Sequence, residues 1–580
     1  MRSLLGLVPY LARYRTRLLW GALCLVLTNA IGLAAPWVLK KVIDGLGVSV
    51  TGGKLARYAL WIVAIALVGG IFRYLMREIL IGVSRHVEYD LRNDFFRHLE
   101  SQPASFYHGQ QTGEIMSRAT SDMNAVRMVL GPGIMQGLNT IITAIIAVAL
   151  MLYISPVLTL FALLPLPLLS FSVAFFGDRI HQKFEDIQAH FARISAMAQE
   201  NLSGVRVVRA YAQEEPQIAR FSALNHEYVA KNAGLIRLWS FFYPAMGLLA
   251  ALGGVIVLWL GGALVIEHRI TLGEFVAFNA YLALLTWPMI ALGWVVNLFQ
   301  RGAASWDRLR AILETPPAIA DLPGSADPAD ARGEIEIRDL TFTYPGATRA
   351  ALSNIRLRVP AGRTVAVVGH TGAGKTTLLH LLLRLHDPPP GTVFLDGRDV
   401  RTYTLAGLRK RYGLVPQETF LFSTTLAGNI AFGVESATDE EIRRAARTAH
   451  LDGDVAGFAK GYDTVVGERG ITLSGGQKQR TAIARAVLRG PTVLLLDDCL
   501  SSVDTYTEEA ILRELTGVMR SRTSILVSHR VSTVRHADTI VVLDEGAIVE
   551  QGTHDELLAR GGIYAELHRQ QLLEEELEAS

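Results

Sequence analysis

Nine consecutive residues carry the plainest chemistry in the chain: Gly369-His370-Thr371-Gly372-Ala373-Gly374-Lys375-Thr376-Thr377. They follow a β-type apolar run, Thr364 to Val368, and precede an apolar helical run, Leu378 to Leu385. Glycines at this spacing let backbone N–H groups turn inward around phosphate oxygens, and the helix N-terminus adds positive potential. Lys375 is then placed to reach the β- and γ-phosphates of a nucleotide, and the Thr376 hydroxyl to bind Mg²⁺. A second strand-like run, Leu494-Leu495-Leu496-Asp497, ends in a carboxylate that would hold the same cation, directly or through water. An ordinary turn and a strand-end cap are the alternative readings of these two segments.

Five further segments lie in order around these two. They are Phe342-Thr-Tyr344-Pro, Val415-Pro-Gln417-Glu, Gly467-Glu-Arg-Gly470 followed by Leu473-Ser474-Gly475-Gly476-Gln477, Ser501-Ser-Val-Asp504, and Ser528-His529-Arg530. Alone, Tyr344 reads as a packed aromatic, and Gln417 and His529 as surface polar residues. In this order they resemble the ATP-binding cassette (ABC) superfamily, whose signature is LSGGQ. The resemblance implies ATP as cofactor with Mg²⁺, the metal held by Thr376, Gln417 and Asp497. It implies that Tyr344 stacks on adenine and that residues 369–377 hold phosphates. Ser474, Gly475, Gly476 and Gln477 would meet the γ-phosphate of an ATP bound by a second chain, with Asp504 in the D-loop. His529 is implied as the switch histidine and Gln417 as the Q-loop residue, both catalytic.

One position departs from the family pattern. The residue after Asp497 is usually Glu, the general base toward the attacking water; here it is Asp498, one methylene shorter. A carboxylate short by roughly 1 Å can cost about 10²-fold in rate. This combination resembles one subunit of asymmetric heterodimeric exporters, whose partner chain supplies the catalytic Glu. The alternative is a homodimer in which Asp498 works as the base.

These residues need a cassette and something for it to drive. Half of the residues are hydrophobic, 19% are charged, and mean hydropathy is +0.29, which points to a membrane-embedded portion. Long apolar stretches near 18–38, 58–82, 134–153, 156–176, 241–266 and 273–299 predict six spanning helices. About 50 residues separate stretches two and three and about 65 separate four and five, and both intervals are rich in Arg. The positive-inside tendency places them in the cytoplasm, as extensions of the spanning helices. Their bends, around Gly113–Asp122 and Ala210–Arg220, are the expected contacts to the cassette. The N-terminal run reads as a retained helix, not a cleaved leader.

The predicted architecture is therefore an all-α membrane domain over 1–314, a Pro/Ala/Asp-rich linker over 315–332 and an α/β P-loop NTPase domain over 333–580. Phe106-Tyr107, Thr112 to Arg118 and Asp122 extend the exporter resemblance into the first half. A net charge of +2 gives no electrostatic case for nucleic acid. Cys24 and Cys499 have no metal-ligand spacing and no reason to pair.

The expected setting is a bacterial inner (plasma) membrane with the cassette in the cytoplasm. The expected partners are a second half-transporter subunit, membrane lipid and an amphipathic small-molecule or peptide cargo. The cargo class is hydrophobic or amphipathic drugs, lipids or peptides. Trp287 and Trp294 share a helix face, with Asn297 one turn on, and could line a cavity, though packing or interfacial anchoring explains them as well. A nucleotide-gated channel or regulatory subunit is the competing function. An importer is disfavoured by the fusion of both halves in one chain.

Overall fold

The structure is a computed structural model that describes residues 2–46, 52–328, 330–467, 470, 472–500 and 505–579. It divides into two compact units, one of residues 1–100 and 111–315, the other of 101–110 and 316–580.

The first unit is helical. Its main helices are α1 (Arg15–Leu46), α2 (Gly52–Ser101), α3 (Ile134–Ile154), α4 (Pro165–Ser203), α5 (Glu214–Ile256) and α6 (Leu272–Leu313). Each of the six apolar stretches falls within these helices or the short helical turns adjoining them. Helix α2 has 50 residues, about 75 Å at 1.5 Å per residue and more than twice an apolar bilayer core. Its second half is polar and charged, from Arg85 to Glu100, as expected of a helix that leaves the membrane. A Cβ on Gly69 of this helix would lie 3.2 Å from the Ile31 side chain, so a glycine lets α1 and α2 approach closely there. Helix α6 starts at a capping box in which Thr271 accepts from the Glu274 N–H and Glu274 accepts from the Thr271 N–H.

The second unit contains two sheets. An antiparallel sheet has the order β2-β1-β4-β5, from Ile335–Phe342 (β1), Leu352–Val359 (β2), Val393–Leu395 (β4) and Arg398–Asp399 (β5). The larger sheet has the order β10-β9-β3-β8-β7-β6. It is built from Thr364–Val368 (β3), Tyr412–Val415 (β6), Val493–Asp497 (β7), Thr523–Val527 (β8), Thr539–Asp544 (β9) and Ala547–Gly552 (β10). All its neighbouring pairs are parallel except β9 with β10.

Side chains alternate across a strand, so the same strands feed two cores. Val365, Val367, Leu495, Ile525 and Val527 pack on one face, and Ala366, Val368, Leu494, Leu496 and Leu526 on the other. Burial on both faces explains the unbroken Val/Ile/Leu runs in the sequence. From Pro316 on, the expected linker groups with this unit: Ala320 O accepts from Arg384 at 3.2 Å, and Asp321 accepts from the Leu405 N–H at 2.7 Å.

Residues 101–110, with a short helix Ala104–His108, group with the cassette, whereas 113–122 and 210–220 group with the helical unit. Pro103 and Gly109 flank this short helix at its N-terminal and C-terminal ends.

Candidate functional site

Strand order assembles the site. In an open α/β sheet, ligands bind beyond the carboxyl ends of the strands. Here β3 leads into the loop at Gly369, β8 into His529, β7 into Asp497 and Asp498, and β6 into Gln417. These four strands are neighbours in the order β3-β8-β7-β6, so four distant sequence segments meet at one edge. They line a cavity of about 330 Å³ together with Tyr344, Ala351 and Val527.

The glycine loop needs its glycines. Gly369 has φ +145° and a Cβ there would sit 2.0 Å from Leu543 O; Gly374 has φ +100° and its Cβ would meet Ala351 O at 2.6 Å. Both positions exclude any side chain. Helix α7 (Lys375–Leu382) begins immediately after, with Leu378, Leu379, Leu381 and Leu382 buried. Thr371, Gly372, Thr376 and Thr377 line the cavity; Ala373 is buried beneath the loop. The His370 side chain is exposed, and its carbonyl faces Lys375.

Lys375 Nζ donates to Gly369 O at 2.7 Å and His370 O at 2.9 Å. Burial lowers the pKa of its ammonium, opposed by Asp498 and Asp497. Burial likewise raises the carboxyl of Asp497, against a hydrogen bond from Thr376. The donors gathered here are hydroxyl, amide and carboxylate oxygens, the hard set that suits Mg²⁺. Tyr344 is held edge-on by Phe342, with centroids 5.1 Å apart, and by His386, also at 5.1 Å; its hydroxyl lies 3.0 Å from Thr377 Oγ1.

Asp498 adopts φ +45°, and its Oδ1 lies 2.8 Å from His529 Nδ1. That contact raises the imidazole pKa, against burial. An imidazolium partner stabilises the fold fully below the unfolded value of about 6.5, and the gain is lost as pH rises through the elevated folded value. Asp498→Asn is therefore expected to lower the His529 titration midpoint in a histidine NMR titration. An unchanged midpoint would mean that the contact does not form in solution.

Ser474 to Gln477 do not line this cavity. Ser474 caps helix α8 (Gly475–Leu488): its Oγ accepts from the Gln477 N–H at 3.3 Å, and Gln477 Oε1 accepts from the Ser474 N–H at 3.0 Å. Gln477 Nε2 also donates to Asp454 at 3.0 Å. Gly475 and Gly476 open the first turn of α8, and a helix N-terminus favours anions. Asp504 and the rest of the 501–504 segment lie outside the described residues, as do Glu468 and Arg469.

Sequence reasoning missed Ala351 and His386. Ala351 lines the cavity and sets its carbonyl against Gly374, a placement that leaves no trace in residue type. His386 packs on Tyr344 through a contact of 42 residues' separation that no motif encodes.

Known proteins extend these observations. Residues 18–289 match the family described as ABC transporter transmembrane region, and residues 352–501 the family described as ABC transporter. The multidrug resistance-like ATP-binding protein MdlA of Escherichia coli is 36% identical over 580 residues, covering 100% of this chain and 98% of that protein. The ATP-dependent lipid A-core flippase of Syntrophus aciditrophicus is 33% identical, covering 96% and 92%. Among solved structures, a bacterial Atm1-family ABC exporter with ATP bound superposes with a TM-score of 0.79 at 28% identity, covering 97% of this chain and 99% of that one.

Proposed function

The chain belongs to the ABC transporter family, with its transmembrane region and ATPase domain in one polypeptide, and from that premise we propose that it is one half of a heterodimeric exporter of hydrophobic or amphipathic compounds. It is a multi-pass membrane protein with a cytosolic cassette and an ATP hydrolase of the ABC exporter type. Drugs and lipids are the favoured cargo classes, since named relatives include a multidrug-type protein and a lipid A-core flippase. The domain limits proposed are 1–314 and 333–580.

In this reading Tyr344 stacks on adenine while the 369–377 loop and Lys375 hold the phosphates. Thr376, Gln417 and Asp497 hold Mg²⁺, which neutralises phosphate charge when bound. Asp498, held by His529, is a short and therefore slow base toward the attacking water at this site, and most hydrolysis falls to the site built from this chain's Ser474–Gln477 and the partner's P-loop. Ser474 to Gln477 serve the ATP on the partner's P-loop, so neither site is complete without two chains.

The heterodimer reading rests on one observation, the shorter acid at 498. One observation favours a homodimer: Asp498 still reaches His529 at 2.8 Å. ATP-dependent dye accumulation in inside-out vesicles tests the pump itself. Nucleotide binding without accumulation of any cargo would leave a channel or regulatory role. Trp287, which is exposed, is proposed to line the cargo path. Trp287→Ala should reduce transport of aromatic dyes severalfold, and unchanged transport of every dye tested would remove that assignment.

A further inference from the structure

We infer that Gln571, on the C-terminal helix, is a positioning residue for ATP turnover that holds the His529 loop in its working conformation. The inference rests on the role proposed above for His529. The loop runs from the end of β8 through Ser528, His529 and Arg530 into a short helix, α10 (Val531–Val534). Gln571 Oε1 accepts from the Val531 N–H at 2.6 Å, and Gln571 Nε2 donates to His529 O. A carboxamide offers the same acceptor and donor as a peptide group. Gln571 thus binds the loop as one residue of a neighbouring strand would, on both sides of the Arg530 backbone.

The helix that carries it is fixed to the domain. Helix α11 (Ile563–Ala579) starts with its Ile563 and Tyr564 N–H groups donating to the Glu550 carboxylate, at 2.6 and 3.2 Å. Tyr564 is fully buried, with its hydroxyl 2.7 Å from His554 Nδ1. Gln571 lies seven residues on, two turns along the same helix face. Opposite, Glu508 of helix α9 (Thr505–Met519) receives Arg530 and, at 2.7 Å, the Thr533 hydroxyl. Glu508 is only 3% exposed. The loop is therefore held between two helices, with Gln571 on His529 and Val531 and Glu508 on Arg530 and Thr533.

Gln571 itself is only half-buried, so water can replace its two hydrogen bonds when it is removed. Folding then survives, while the imidazole loses its fixed placement; misplacement of about 1 Å costs up to ~10²-fold in rate.

The test uses the full chain in lipid, with Gln571→Leu and Gln571→Glu made in both wild-type and Asp498→Glu backgrounds. Gln571→Leu should lower kcat about tenfold or more. KM for ATP and the melting temperature should hold, and the peptide spanning 528–534 should lose hydrogen-exchange protection. Gln571→Glu keeps the acceptor for Val531 but sets a carboxylate against the His529 carbonyl. Its deficit should shrink as pH falls, because the protonated acid can donate again. Unchanged kcat, a loss that only tracks the melting temperature, or a pH-independent deficit in Gln571→Glu would overturn the inference. If Asp498→Glu itself brings no gain, the slow-site reading fails, and Gln571 is still judged against wild-type turnover.

Discussion

Purified alone in lipid, the Asp498→Glu variant is expected to hydrolyse ATP about 10²-fold faster than the parent. The acid sits at the carboxyl end of β7, where the sheet edge aims it into the nucleotide cavity. Its position is set by a backbone at φ +45° and a hydrogen bond to His529. Within that frame only side-chain length separates Asp from Glu. The extra methylene carries the carboxylate toward the space where a γ-phosphate and its water would lie. The exchange also has a cost, because Asp tolerates the left-handed region better than Glu, by about 1 kcal/mol at most. Turnover should therefore rise while thermal stability holds or falls slightly. Brisk turnover in the parent, with no gain from Glu, would sink the slow-site reading and leave a homodimeric pump.

The second large effect is expected from Lys375→Ala: ATP affinity weakened by about 10- to 10²-fold, the scale of the ~1.5–3 kcal/mol that a hydrogen bond to a charged group contributes. The ammonium now rests on the carbonyls of Gly369 and His370. A triphosphate would take it over from those carbonyls, and alanine would leave the phosphates to face Asp497 and Asp498 without an opposing cation. A fluorescent ATP analogue titrated against the purified protein reads the change. An unchanged dissociation constant would mean that the cavity is not where the phosphates bind.

The cassette site was legible because each of its distant segments is a local motif. Residues 369–377 lie in one loop, and the Ser474 capping box spans four residues, so type and spacing suffice. Helix spans were legible for a similar reason, since apolar length needs no partner. What sequence could not show is what distant chain brings. His386 reaches Tyr344 by packing, Ala351 lines the cavity from a distant segment, and Gln571 meets His529 across 42 residues. Each depends on how separate elements are laid together, which local patterns do not record. The grouping of 101–110 with the second unit is likewise a matter of contacts between distant segments, although Pro103 and Gly109 mark locally where the helix is interrupted.

The length of α2 has a mechanical meaning. A continuous α-helix of about 75 Å is a stiff rod, and tilting it by ten degrees about its middle sweeps each tip through roughly 6 Å. That travel exceeds one full helical pitch of 5.4 Å. The midpoint falls at Met76 and Arg77, where Met76 and Leu80 pack with Cys24 and Leu25 of α1 and Met135 of α3. A rod held near its middle is a lever with arms of about equal length. A modest rotation imposed at one tip would then displace the other by a similar distance in the opposite sense.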